Sequence, residues 1–169
     1  MHEPTQLAGT AFGSLRHDHQ RCIDDALDKA AALCAARGAR LTELRRRVLE
    51  LVWRSHEPVG AYAVLEELQR QRRGAAPPTV YRALDFLLAQ GLIHRIASLN
   101  AFVGCPMPDR RHSSQFLICG GCGRVAEIDD ARIDSAIARS AASQGFTVDR
   151  PTIELQGLCA ACSSAANAG

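Results

Sequence analysis

The chain has 169 residues, an apolar share of 47% and a formal net charge of +2. That is enough for one ordinary domain or two small ones with a folded core. It excludes a molecule governed by one sign of charge. No apolar run approaches the length of a bilayer-spanning helix. The opening MHEPTQLAGTAFGSLRHDHQRC has no apolar segment of secretory type. A cytoplasmic protein without a membrane partner is the expectation. In a reducing compartment its seven cysteines are metal ligands or buried thiols rather than disulfides.

Residues 1–20 mix Gly, Thr, Pro and His without period and read as a mobile tail. Its His17 and His19, with Cys22, could hold an ion or simply be solvated. Four helical stretches follow. CIDDALDKAAALCAARG places Ile23, Ala26, Leu27, Ala30, Leu33 and Cys34 at helical spacing and stops at Gly38. LTELRRRVLELVWRS has Thr42 as N-cap and Leu44, Val48, Leu51 and Val52 facing inward. GAYAVLEELQRQRRG ends at Gly74, and PPTVYRALDFLLAQG begins with prolines and ends at Gly91.

LIHRIASLNAFVGC then alternates around SLN and predicts a β-hairpin. Between Arg37 and Arg95 there are eleven Arg against six acidic residues, a local excess of positive charge. Helices, then a hairpin, with local basic charge, is the order of a winged helix-turn-helix module that binds duplex DNA. PMPDRRHSS reads as a connection. SQFLICG and GRVAEI read as strands, DDARIDSAIARSAASQG as a helix, and FTVDRPTIELQGLC as a strand bent at Pro151. This second part is a small α+β unit.

Two cysteine pairs stand at the same gap, Cys119 with Cys122 and Cys159 with Cys162. Thiolates two residues apart on a tight turn bind one ion together, and two such turns complete a tetrahedral shell. Sulfur donors point to zinc. The competing readings are buried thiol pairs or a redox dithiol. A redox motif opens a helix in a βαβ setting, whereas the first pair lies between strands.

PPTVYRALDFLLAQGLIHR together with CGGCG and CAAC resembles the ferric uptake regulator family, and within it the zinc uptake regulators. The resemblance runs from about Cys22 to Cys162. It implies an α+β protein: a winged-helix DNA-binding domain over 21–104, a connection over 105–113, and a zinc-stabilised α/β dimerisation domain over 114–169. It implies a homodimeric, metal-dependent transcription repressor of zinc-uptake genes, not an enzyme, with no small-molecule substrate beyond the ion. Carried over by position, the regulatory zinc ligands are His94, Cys105, His112 and Glu127. Two zinc ions per protomer follow, one structural and one regulatory. The connection holds only His112, where many iron-type members have a His-rich run. The alternatives are an iron, manganese or peroxide sensor of the same family and, from another class, a zinc-stabilised thiol oxidoreductase.

On a helical wheel, Val80, Leu84, Leu87 and Leu88 share the inner side of the fourth helix. Thr79, Arg82, Phe86 and Ala89 fall on the outer side, with Arg82 placed to reach guanine or phosphate. Tyr62 resembles a family position that touches DNA. Arg45, Arg46 and Arg47 either contact phosphates or solvate their helix.

Overall fold

A computed structural model describes residues 12, 19–54, 57–71, 76–110 and 112–166. Most of the expected tail, including His17, and the stop at Gly74 lie outside them. Four helices come first: α1 (His19–Ala36), α2 (Glu43–Trp53), α3 (Ala61–Gln71) and α4 (Pro77–Ala89). In α1, Ile23, Leu27, Ala30 and Cys34 are buried, a single stripe at steps of four and three. Thr42 is extended, and its hydroxyl accepts the Arg45 N–H at 3.4 Å, which starts α2. Pro77 and Pro78 occupy the first turn of α4, where a missing N–H costs nothing. Gly91, at φ +67°, lets the chain turn away after it. Val48, Leu49, Val52, Val64, Leu84 and Leu87 form the centre of the core between these helices.

The period then shifts from helical to alternating. Strands β1 (Ile93–Ile96) and β2 (Ala101–Gly104) pair antiparallel, with Ile96 opposite Ala101 and residues 97–100 as the turn. Val59 joins them through two 2.9 Å backbone hydrogen bonds with Phe102. Gly104 packs directly against the Trp53 indole. A Cβ there would come within 2.2 Å of the ring, so only glycine fits.

The chain continues through β3 (Ser114–Cys119), β4 (Val125–Ile128), α5 (Ala131–Ala142), β5 (Thr152–Gly157) and α6 (Ala160–Ala166). The sheet order is β4-β3-β5, with β4 antiparallel and β5 parallel to β3. Asp130 caps α5 by accepting the Arg132 N–H at 2.8 Å.

Two details depart from the sequence reading. The last strand does not bend at Pro151 but begins after it, because proline has no N–H for the ladder. The stretch after Cys159 is the short helix α6, favoured by its alanines.

A second, smaller core consists of Ile96, Phe116 and Ile118, with Val103 and Val125 against it. It is shared between the β1–β2 hairpin and the sheet. Helix α5 has no buried residue within the chain, and Ile137, Phe146, Leu155 and Leu158 are exposed. A sheet with so little apolar core of its own needs other means of stabilisation. Among the described residues, no helix is long and apolar enough to cross a membrane.

Candidate metal centres and nucleic-acid interface

Two clusters of metal-ligating side chains occur among the described residues, and in each the donor atoms lie within 4.8 Å of one another. The first comprises Cys119, Cys122, Cys159 and Cys162. Cys119 ends β3, and the turn after it closes through the Gly123 N–H on the Cys119 carbonyl at 2.9 Å. Gly123 takes φ +71°, which the reversal requires. A Cβ on Gly121 would stand 2.9 Å from Cys162 Sγ, so this glycine permits the two pairs to close up. Gly120 donates to the Gly157 carbonyl at 2.8 Å, tying the first turn to the end of β5. Cys122 and Cys159 bring their sulfurs to 3.9 Å. Zinc holds tetrahedral thiolates about 3.8 Å apart, given bonds of about 2.3 Å.

The charge distribution also fits a cation. The Cys159 backbone N–H donates to Cys119 Sγ and holds that thiol down to about 6. Hydrogen bonding to Cys159 and Cys119 pushes the Cys162 thiol up to about 12. Thiolate charge in so tight a group is self-repelling, and a divalent ion is what allows all four to ionise.

The second cluster joins parts of the chain far apart in sequence. His94 stands on β1, Cys105 just after β2, His112 before β3 and Glu127 on β4. Glycine at 104 and the hydrogen bond from the Cys105 N–H to the Leu92 carbonyl at 3.0 Å place the thiol. Burial and the neighbouring Glu127 charge push that thiol up to about 12. His112 Nε2 lies 2.8 Å from Glu127 Oε1 and 3.6 Å from Cys105 Sγ. His94 Nε2 lies 3.1 Å from the same carboxylate oxygen.

The donor set fits a metal ion for a specific reason. His112 Nδ1 is 3.0 Å from the Arg110 carbonyl, which only accepts, so Nδ1 carries a proton. Nε2 faces the Glu127 carboxylate and the Cys105 sulfur, an arrangement in which a cation can accept all three donors at once. His94 Nδ1 lies 3.3 Å from Ser114 Oγ, a hydroxyl that orients the ring. His94 Nε2 and Glu127 Oε2 are buried without a hydrogen-bond partner. One sulfur, two imidazole nitrogens and a carboxylate suit tetrahedral zinc.

On the helical surface, Tyr62 at the start of α3 is 74% exposed, and Thr79 and Arg82 on α4 are also exposed. Helices α3 and α4 pack together, so these side chains belong to one side-by-side helix pair. Phe86 does not join them. It packs on the core under the Arg45 guanidinium, 3.6 Å from its ring centre. Its place on the outer side is corrected because an aromatic ring this large finds apolar cover between α2 and α4. Arg45 is thereby occupied, and Arg47 pairs with Glu50 and with Gln71 at 2.8 Å. Arg46 alone of the three has no side-chain partner among the described residues. Tyr81, next to Arg82 in the chain, is 46% exposed.

A family model described as the ferric uptake regulator family matches residues 36–156. The zinc uptake regulation protein of Escherichia coli (strain K12) is 42% identical over 137 residues, covering 80% of each chain. A zinc uptake regulator complexed with zinc and DNA has a similar structure. Its TM-score is 0.81 at 39% identity, over 86% of this chain and 97% of that one. Holo XcZur gives 0.77 at 40% identity, over 83% of this chain and 99% of that one. Apo XcZur, also 40% identical, gives only 0.51 over 85% and 99%. At equal identity, this chain superposes better on the holo form than on the apo form.

Proposed function

This chain belongs to the ferric uptake regulator family, and from that premise we propose that it is a zinc-responsive transcriptional repressor. It binds near-palindromic operators in duplex DNA as a zinc-loaded homodimer and controls zinc-uptake genes from the cytoplasm. The regulatory role is one of binding, and no catalytic step is assigned to it. The observation that carries the reading is the mixed cluster of His94, Cys105, His112 and Glu127, which joins the helical region to the sheet. Similarity to regulators named for zinc, and to one complexed with zinc and DNA, supports it.

Each protomer holds two zinc ions in this reading, a structural one at Cys119, Cys122, Cys159 and Cys162 and a regulatory one at the mixed cluster. Bound zinc supplies a cationic centre that neutralises thiolate and carboxylate charge and accepts nitrogen, sulfur and oxygen donors at once. His94 is the ligand from the hairpin, Cys105 the ligand directly after it, and Glu127 the ligand from β4. His112 is oriented for the same role by the Arg110 carbonyl. When all four converge, the hairpin cannot swing away from the sheet. Helix α4 is then presented at a defined angle, and a dimer matches two half-sites without first losing that freedom.

Arg82 and Thr79 read or contact DNA from α4, with Tyr81 beside them and Tyr62 from α3. The regions 21–104 and 114–169 act as the DNA-binding and dimerisation domains, joined by 105–113. The exposed Ile137, Leu155 and Leu158, on a helix without buried residues and around the edge strand β5, suit a second copy.

The deciding experiment measures zinc per protomer of reduced protein before and after a mild chelator, with operator binding assayed at each stage. Two ions are expected, one readily removed with loss of DNA binding and restored by zinc. One tight ion with DNA binding indifferent to zinc would sink the reading. Displacement of zinc by iron or manganese at matched free concentrations would instead favour another sensor of this family.

A further inference from the structure

The β1–β2 hairpin touches the sheet at a second place, away from the mixed cluster. Glu154 lies on β5, opposite Phe116 of β3. One of its carboxylate oxygens accepts the Ala97 N–H at 2.6 Å and the other accepts the Ser98 N–H at 3.1 Å. Those N–H groups open the turn at residues 97–100, beyond the closing pair of the hairpin, Ile96 with Ala101. The hairpin ladder therefore makes no use of them. Successive backbone N–H groups converging on one anion form a charge-assisted nest. The Ser98 hydroxyl and the two N–H groups hold the Glu154 carboxyl below the ordinary range.

The geometry of the sheet gives this contact its meaning. The order is β4-β3-β5, so Glu127 and Glu154 stand on opposite flanks of β3. Both are in register with the same residue, Phe116. Between them, Ile96 of the hairpin is fully buried with Phe116 and Ile118. The hairpin is thus attached to the sheet by a carboxylate on each side of an apolar contact. An attachment on the far side of that contact further limits rotation of the hairpin on the sheet.

We propose that Glu154 is a positioning residue for operator binding: it clamps the hairpin turn through the Ala97 and Ser98 N–H groups and, with the mixed cluster, sets the angle of α4. The role in DNA binding rests on the function proposed above. Since the clamp and the mixed cluster favour the same arrangement, they are linked, and loss of one weakens the other. The four-cysteine cluster, which contains no hairpin residue, is outside this linkage.

The test uses the full-length protein as wild type, Glu154→Gln and Glu154→Ala. In Glu154→Ala, amide exchange at Ala97 and Ser98 should accelerate by about tenfold or more. Zinc affinity of the more weakly bound ion should fall about fivefold or more, with retention of the tight ion unchanged. Operator affinity at sub-saturating zinc should fall with it. Glu154→Gln, which keeps one carbonyl acceptor, should lie between. Dimer content and thermal unfolding identify any general loss of fold. Unchanged exchange at Ala97 and Ser98 in a folded variant would overturn the clamp. Faster exchange with wild-type zinc and operator affinities would overturn the positioning role. If the wild type showed no zinc-dependent DNA binding, the function proposed above would fall, and the positioning role with it; the exchange rates would still decide the clamp.

Discussion

The two ligand clusters differ less in chemistry than in what they connect. The four cysteines come from the β3–β4 turn and the start of α6, both within the second region. The mixed cluster draws His94 from the hairpin, Cys105 and His112 from the connection after it, and Glu127 from the sheet. Each region also differs in what else supports it. The helical region has a core of many fully buried side chains, among them Val48, Leu84 and Leu87. The sheet region has Phe116 and Ile118, and it shares them with Ile96 of the hairpin. An ion at the first cluster would therefore substitute for a missing core, while an ion at the second would select an arrangement of parts that already fold.

The largest effect is expected from Cys119→Ser. Removing one thiolate from a closed shell should cost the sheet region its cooperative unfolding and the protein its dimer. Circular dichroism and sedimentation would record this, and a stable zinc-free dimer would erase the distinction between the clusters. Cys105→Ser comes next and should behave oppositely. Thermal unfolding should stay near wild type, zinc should drop from two ions to one, and zinc-dependent operator binding should fall by roughly 100-fold. Normal DNA binding by this variant would remove the mixed cluster from regulation.

Gly104→Ala sharpens the comparison without touching a ligand. The new methyl group meets the Trp53 ring at 2.2 Å. It should cost about 1–3 kcal/mol of helical-region stability and displace Cys105, weakening the labile ion and leaving the tight one. Denaturant unfolding and chelator competition would separate the two consequences.

The smallest effect concerns the cap of α5. The Arg132 side chain and N–H beside Asp130 hold its carboxyl at about 2, below its unfolded value of about 3.9. The stabilisation is complete above that unfolded value and is lost as pH falls through about 2. Asp130→Asn should flatten this acid limb and change neither zinc ion. At neutral pH it should keep the cap and lose the Arg132 ion pair, a small loss at so exposed a site.

Much of the local structure was legible in the chain. Thr42 and the prolines of α4 marked helix starts, the alternation after Gly91 marked the hairpin, and equal spacing marked the cysteine pairs. Pro151 misled, because a strand pattern continues through it while its missing N–H delays pairing until Thr152. Phe86 misled because the wheel assigns a direction to a side chain but does not know that Arg45 will lie over it. The convergence of His94, Cys105, His112 and Glu127 was not derivable from spacing. Only the resemblance to a family implied it.

The division has a physical basis. Short-range rules such as capping, helical and strand periods and two-residue ligand gaps act within a few residues, so the sequence by itself determined the elements and the paired thiols. Contacts between elements depend on how the hairpin docks on the sheet. That docking alone placed two imidazoles around one carboxylate oxygen, laid Trp53 on Gly104, and brought Glu154 to the N–H groups of Ala97 and Ser98, more than fifty residues away.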